Sequence, residues 1–326
     1  MISIVIPNYN GRRYLKKCIH SIQKEVISLT IKIYIEIIII DNASTDDTYE
    51  WIRENYPEII FERLNQNYGF SYAVNEGIRL ARGEYVLLLN NDTELESNFL
   101  EELLLVIESD KQVFSVCSQM IQYHNQDLID DAGDEYNLLG WAYKRGDGQA
   151  VDTYNKVEQV FSACAGAAIY RKSVFEEIGY FDENFFAYME DVDISYRALI
   201  HGYKNMYCPE AKVLHIGSAT SGSKYNAFKV RLAARNNIYV PYKNMPFLQL
   251  IINMPFLLVG YLIKYMFFVK KGFGKEYKEG FLEGLRTLKK VDKVKFEWKN
   301  IGHYLYIEWL LIKNTMGYIS IKVFRR

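Results

Sequence analysis

LLLNNDTEL, residues 87–95, is the stretch whose reading decides the fold of this chain. Three leucines run straight into Asn90, Asn91 and Asp92. Asn and Asp suit turns, because their short side chains bond the local backbone. A polar strand tip also suits a ligand site, because open α/β sheets bind ligands at the carboxyl ends of their strands. The surrounding sequence has to separate the two readings.

Upstream, ISIVIP (residues 2–7) is short, apolar and β-branched, and NYNG follows it. IKIYIEIIII (31–40) is a second strand, and its unbroken isoleucines predict burial on both faces before it stops at Asp41. IIFERLN (59–65) and EYVLLLN (84–90) are a third and a fourth. Between them lie a helix over 14–23, STDDTYEWIREN with Ser44 as its N-cap, and GFSYAVNEGIRLARG closing at Gly83. This alternation predicts right-handed βαβ units in an α/β, doubly wound, mostly parallel sheet. Asn8, Asp41 and Asn90–Asp92 then fall on one edge. Further on, 99–109 reads as a helix and 113–120 as a strand. Residues 122–158 are polar and rich in Gly and Asp, and read as a long functional loop. EDVDISYRALIHG (190–202) is a helix with a strongly acidic start.

The chain has 326 residues, 49% hydrophobic, enough for a sizeable core. The formal net charge of −1 hides an asymmetry. Residues 1–225 carry 20 Lys and Arg against 34 Asp and Glu, and residues 226–326 carry 19 against 6. An acidic body thus bears a basic tail. The four cysteines lie far apart without a CxxC pair, which predicts free thiols in a reducing compartment. MISIVIPNYNG opens as a strand without a basic leader, so the body is expected in the cytoplasm. GxGxxG, GxxxxGK[ST] and GxSxG are all missing, which removes the dinucleotide, P-loop and α/β-hydrolase signatures.

The tail holds an apolar run, FLQLIINMPFLLVGYLIKYMFFV (247–269), long enough to span a bilayer but interrupted by Gln249, Asn253, Pro255 and Lys264. Lysines follow, and KEYKEGFLEGLRTLKK places Tyr277, Phe281, Leu285 and Leu288 on one helical face. This pattern predicts helices lying in a membrane interface. A span and an ordinary helical subdomain or homodimer interface are the alternatives. Long apolar runs argue against nucleic acid as the partner of the positive charge.

Taken in order, VIPNYNG (5–11), IIIIDNASTDDT (37–48), NYGFSYAVNEGIRLARGEYVLLLNNDT (67–93) and GYFDENFFAYMEDVDISYRALIHGY (179–203) resemble the inverting family-two glycosyltransferases of GT-A fold, above all the bacterial rhamnosyltransferase-like branch. The resemblance covers roughly residues 1–240. It implies a GT-A domain over 1–225 and a helical, membrane-associating or oligomerising extension over 226–326. It also implies a nucleotide-diphosphate sugar donor, dTDP- or UDP-linked, and a divalent ion, Mn2+ or Mg2+.

The resemblance assigns roles by position. Pro7, Asn8 and Tyr9 line the nucleotide pocket, and Asp41 bonds the base. Asn67, Gly69 and Asn75 lie beside the nucleotide and diphosphate. Asn90-Asn91-Asp92 falls on the family's DxD position, with Asn in place of the first Asp, which leaves Asp92 as the main anionic ligand. His215, in VLHIGSATSG, is a second metal ligand. Gly166, in SACAGAA (162–168), lies beside the donor sugar. Asp191 is the base that takes the acceptor proton, and Glu190 positions the acceptor. Three acids within four residues are also expected to raise one another's pKa. The spacing of Asp193 and Arg197 predicts an intrahelical ion pair. Arg235 is placed near a phosphate.

The QxxRW motif of processive synthases is absent, so one sugar is added per binding event. The expected reaction moves a sugar, L-rhamnose being the candidate, to a lipid-linked saccharide at the cytoplasmic face of the cell membrane. A catalytically weak assembly partner of a polysaccharide-synthesis complex is the alternative.

Overall fold

A computed structural model describes residues 1–217 and 225–324. Its strands and helices are β1 (Ile2–Asn8), α1 (Arg12–Ser28), β2 (Ile35–Asp41), α2 (Thr48–Asn55), β3 (Ile60–Arg63), α3 (Phe70–Leu80), β4 (Tyr85–Leu89) and β5 (Thr93–Leu95). There follow α4 (Phe99–Glu108), β6 (Val113–Gln122), β7 (Ile129–Asp131), β8 (Asp134–Tyr136), β9 (Ala142–Lys144), β10 (Glu158–Val160), β11 (Ala167–Arg171) and α5 (Lys172–Ile178). The last are α6 (Glu190–Ile200), β12 (Lys204–His215), α7 (Ala227–Asn244), α8 (Phe247–Lys270), α9 (Gly274–Thr287) and α10 (Ile301–Phe324).

The main sheet runs β10-β12-β6-β11-β4-β1-β2-β3, with β5 added to β12 and β7 to β6. β4, β1, β2 and β3 are parallel, as the strand–helix alternation predicts. β11 is inserted antiparallel between β4 and β6. Every residue of β4 is buried: Leu87 and Leu89 enter one apolar cluster with Ile4 and Phe99, and Val86 and Leu88 enter the other with Val5 and Val74. Burial on both faces is why its sequence shows no alternation. The fold is that of the GT-A class.

A third cluster joins α6 to the C-terminal helices, through Val192 and Tyr196 against Tyr239, Val240, Ile307 and Leu311. α8 is docked at its middle: Trp141 Nε1 donates to the Gly260 carbonyl at 3.1 Å, and a Cβ on Gly260 would lie 2.1 Å from the Leu139 carbonyl oxygen. The polar interruptions are paired, Gln249 and Asn253 both donating to Glu308 of α10 at 2.8 Å. The opposite side of α8 is apolar and exposed, with Phe247, Leu248, Ile251, Ile252, Leu258 and Leu262 facing outward. Only 22% of its most apolar window is buried.

Candidate active site

Parallel register sets Asn8 of β1 beside Asp41 of β2. Asn8 Nδ2 donates to Asp41 Oδ1 at 2.9 Å and to Ser44 Oγ at 3.2 Å. The Ser44 amide and hydroxyl donate to the same carboxylate at 3.0 and 2.5 Å. Asn91 Nδ2 closes the network onto Asn8 Oδ1 at 2.7 Å. Three strand ends are thereby tied side chain to side chain. One expectation changes. Ser44 does not cap α2, which starts at Thr48 after Asp47, because its hydroxyl is committed to Asp41. Asp41 is buried and accepts bonds from Asn8 and Ser44. Pro7 and Tyr9 are half-buried at the lip of the same loop.

Asn42 receives the Tyr68 amide at 2.8 Å and donates to the Gly69 carbonyl at 2.9 Å. Gly69 has φ +91, and a Cβ there would lie 2.5 Å from the Phe186 carbonyl oxygen, so both backbone and space demand glycine. Asn67 is exposed and accepts from the Gly69 amide at 2.9 Å. Asn75 does not face this loop. It is buried, donates to the Phe181 carbonyl and Glu183, and accepts from the Phe181 amide at 3.0 Å. Its amide pins α3 to the segment before α6.

At the tip of β4 the Asn90 amide donates to the Gly166 carbonyl at 2.8 Å, and a Cβ on Gly166 would lie 3.0 Å from Asn90 Nδ2. Gly166 therefore permits close approach of the two segments. β5 pairs antiparallel with β12 in a register that sets Thr93 opposite His215. That register brings His215 Nε2 to 3.4 Å from Asp92 Oδ1. On the other side of the ring, Nδ1 lies 2.8 Å from Asp130 Oδ2, which also receives Lys144 Nζ at 2.9 Å. Burial pushes the His215 pKa down, but Asp130 and Asp92 outweigh it and hold it at about 9. The same surroundings hold the Asp130 carboxyl far below its usual range, against burial. The remainder of the His215 motif, residues 218–222, lies outside the described residues.

This donor set fits a divalent ion. Two ligand atoms 3.4 Å apart can share one ion at ordinary ligand lengths of roughly 2.0–2.2 Å. Asp130 stands where a ligating imidazole finds its carboxylate partner. The Mn2+ or Mg2+ expected from the sequence would be held by Asp92 and His215, with Asp130 orienting the ring.

The acidic start of α6 lies across Gly166. The peptide N–H of Ala165 favours the charged form of Asp191, as does that of Val192, which donates to Asp191 Oδ1 at 2.8 Å. Burial nonetheless raises the Asp191 pKa. Glu190 is buried, its Oε2 has no partner, and burial followed by the Asp191 charge pushes it well up. Asp193 goes the other way. Burial would raise it, but Lys243 at 3.2 Å, Arg197 at 2.9 Å and Asn244 at 2.8 Å pull it below the ordinary value. The expected Asp193–Arg197 pair is formed. The expected crowding is felt by Glu190, which the Asp191 charge raises, whereas Asp191 is raised by burial and Asp193 is lowered because two cations face it.

Phe186, Tyr188 and Met189, just before α6, all have left-handed φ, at 63, 68 and 71. Such backbone in non-glycine residues costs on the order of 1–3 kcal/mol each and marks functional sites. Arg235, expected near a phosphate, bonds the loop before α6. Its Nη2 donates to the Asn184 and Phe185 carbonyls at 2.8 and 2.9 Å.

Parallel strands with polar tips and an acidic helix opposite them belong together in one known family. The family described as "Glycosyl transferase family 2" matches residues 3–179. The chain belongs to it. Its resemblance is to the rhamnosyltransferase-like branch. It is 28% identical to the O-antigen chain rhamnosyltransferase WbaN of Salmonella anatum over 69% of each chain. It is 25% identical to the N-acetylglucosaminyl-diphospho-decaprenol L-rhamnosyltransferase of Mycobacterium tuberculosis, over 68% of this chain and 78% of that one. Among solved structures, GalNAc-T7 with UDP, GalNAc and Mn2+ aligns at TM-score 0.59 and 18% identity, over 74% of this chain and 47% of that one. That likeness concerns the fold.

In this family-two chain several site residues escaped the sequence. The 122–158 segment, read as a functional loop, contains β7, β8, β9 and β10 and supplies Asp130, Asp131, Asp134 and Lys144. One ligand atom each from Asp131, Asp134 and Cys164 lies within 4.8 Å of the others. Burial, with the charges of Asp130 and Asp191, lifts Asp131 to about 6 against Lys144, and burial with the charges of Asp131 and Asp191 lifts Asp134 well up. ASTDDT signalled a helix start rather than a clamp on Asp41. Nothing local marked Asn236 or Asn244.

Proposed function

We propose that this glycosyltransferase moves a sugar, L-rhamnose, from a nucleotide-diphosphate donor, dTDP- or UDP-linked, to a hydroxyl of a lipid-linked saccharide in cell-surface polysaccharide synthesis. Transfer is inverting and adds one sugar per binding event. The observation that carries this reading is that residues 165–166 touch both the tip of β4, through the Asn90 amide, and Asp191, through the Ala165 amide, while β12 brings His215 to Asp92 two residues beyond that tip. The names of the two rhamnosyltransferase relatives support the sugar and the carrier lipid.

In this mechanism the loops ending β1, β2 and β4 hold the nucleotide, with Asn8 and Asn91 kept in place by Asp41 and Ser44. A divalent ion at Asp92 and His215 would neutralise negative charge on the departing diphosphate. Asp191 takes the acceptor hydroxyl proton as that oxygen attacks the anomeric carbon from the side opposite the diphosphate. Its raised pKa makes it a stronger base than an ordinary aspartate. Glu190 positions the acceptor.

The 226–326 extension serves the acceptor's lipid. An apolar face on α8, flanked by Lys270, Lys271, Lys275 and Lys278, suits an anionic bilayer surface at the cytoplasmic side. Because Gly260 is packed on the body, α8 lies along that surface rather than through it. The same face could instead bury itself in a homodimer.

The test is calorimetry of the purified protein with UDP, dTDP and GDP, each with and without Mn2+, alongside Asp92→Ala. One diphosphate binding only with metal, and not to the variant, supports the reading. No metal-dependent binding of any of the three overturns it.

A further inference from the structure

The loop that delivers Asp191 is held by residues nearly fifty positions away. Phe186, Tyr188 and Met189 are left-handed and none is glycine. Bulky residues stay there only when their surroundings over-determine the conformation. Asn236 of α7 provides that constraint. It is fully buried, and its Nδ2 donates to the carbonyls of Phe185 at 2.9 Å, Ala187 at 2.9 Å and Tyr188 at 2.7 Å. The two hydrogens of one amide nitrogen are thus shared among three inward-pointing carbonyls of the loop. Arg235 Nε donates to Asn236 Oδ1 at 3.0 Å, which fixes the amide with its NH2 toward the loop. Arg235 Nη2 adds the bonds to Asn184 and Phe185. On its far side the loop meets the start of α3, where the Phe186 carbonyl accepts from the Ser71 amide at 3.1 Å and presses on Gly69.

We propose that Asn236, oriented by Arg235, is a positioning residue for sugar transfer: it locks the 185–189 loop in the conformation that presents Asp191 to the acceptor hydroxyl. The proposal rests on the reading of Asp191 as the base. Neither side chain touches the reacting atoms; both act through the loop. Without Asn236 the Ala187 and Tyr188 carbonyls lose this donor and Phe185 keeps only Arg235 and the Ala187 amide, so the left-handed residues are less constrained and the first turn of α6 shifts. The Asn8–Asp41–Ser44–Asn91 network makes no bond to α7, so donor binding is spared.

The experiment compares Asn236→Ala, Arg235→Lys and Asp191→Asn in the full chain. It reads kcat and KM for transfer, nucleotide affinity by calorimetry with Mn2+, the pH–rate profile and thermal melting. Asn236→Ala is expected to lower kcat roughly 10–100-fold, as misplacement of a reacting group by about an ångström does. Its nucleotide affinity should stay within about threefold while the acidic limb of the pH profile moves. Arg235→Lys should show the same pattern more weakly. Folded variants that keep the parental rate and pH limb, or that lose nucleotide affinity in step with rate, overturn the proposal. If Asn236→Ala fails to fold, Arg235→Lys decides by the same criteria. An active Asp191→Asn refutes the base reading itself, and a rate loss in Asn236→Ala beside it would refute the assignment to Asp191.

Discussion

At the sheet edge, Asn8, Asp41, Ser44 and Asn91 bond one another through their side chains, and each sits at the end of a strand or in the turn after it. On the other flank, α7 reaches back about fifty residues with Arg235, Asn236, Lys243 and Asn244 to hold carbonyls and a buried carboxylate around α6. The first region is stabilised by neighbours that the sheet register guarantees. The second depends on a helix that the family match at residues 3–179 does not include. The contrast teaches that the helices after residue 225 do more than present an apolar face: they hold the start of α6 and the segment that leads into it.

The contrast breaks most visibly at the base. Asp191→Asn is expected to lower kcat by about 10²–10⁴-fold while nucleotide binding persists, as loss of a general base does. Transfer assays paired with calorimetry check this. Equal loss of both would place Asp191 in donor binding. In the parent the rate should rise with pH along a limb above the ordinary aspartate value, because the base works deprotonated and its pKa is raised by burial.

On the sheet-edge side, Asp130→Asn should weaken Mn2+ affinity roughly 10–100-fold by releasing the His215 ring, the usual effect of removing an outer carboxylate. Mn2+ titration followed by magnetic resonance reads it directly. An unchanged affinity would sever His215 from the metal.

The outer face of the C-terminal helices is tested by Ile252→Glu with Leu258→Glu. Each buried apolar side chain contributes about 1.5–3 kcal/mol, so binding to phosphatidylglycerol vesicles should fall by at least about tenfold. Turnover of a water-soluble acceptor should stay unchanged. Loss of turnover, or no loss of vesicle binding, would assign that face to something other than lipid.

The smallest effect concerns stability. Burial raises Glu135 from 4.5 to about 7, against Arg145, Lys313 and a bond from Asn314. The folded state then holds this proton more tightly than the unfolded chain. The resulting stability is complete below pH 4.5 and is lost as pH rises to about 7. Glu135→Gln should escape that loss and gain on the order of 2 kcal/mol at pH 8 relative to its effect at pH 4.5, allowing for partial exposure. Denaturant melts at both values would show it.

Much of the sheet edge was legible because strand ends announce themselves. Apolar β-branched runs stop at Asn8, Asp41 and Asn90, and parallel register then collects those residues without further information. Gly69 was visible as a turn, although its contact with Phe186 was not. The partners of Asn75 were not legible, because a polar residue inside a helix has no local sign of whether it faces a ligand or a distant carbonyl. The same holds for Arg235.

The order of strands and helices through β4, the family resemblance and the candidacy of Asp92, Asp191 and His215 were all determined by sequence, since they rest on local hydrophobic pattern and short spacing. Only the tertiary structure decided that β5 and β12 bring His215 to Asp92, that two cations spare Asp193 the fate of Asp191, and that Asn236 holds the loop between them. Those outcomes depend on long-range pairing and on the electric field of groups far apart along the chain, and neither is written in any one stretch of it.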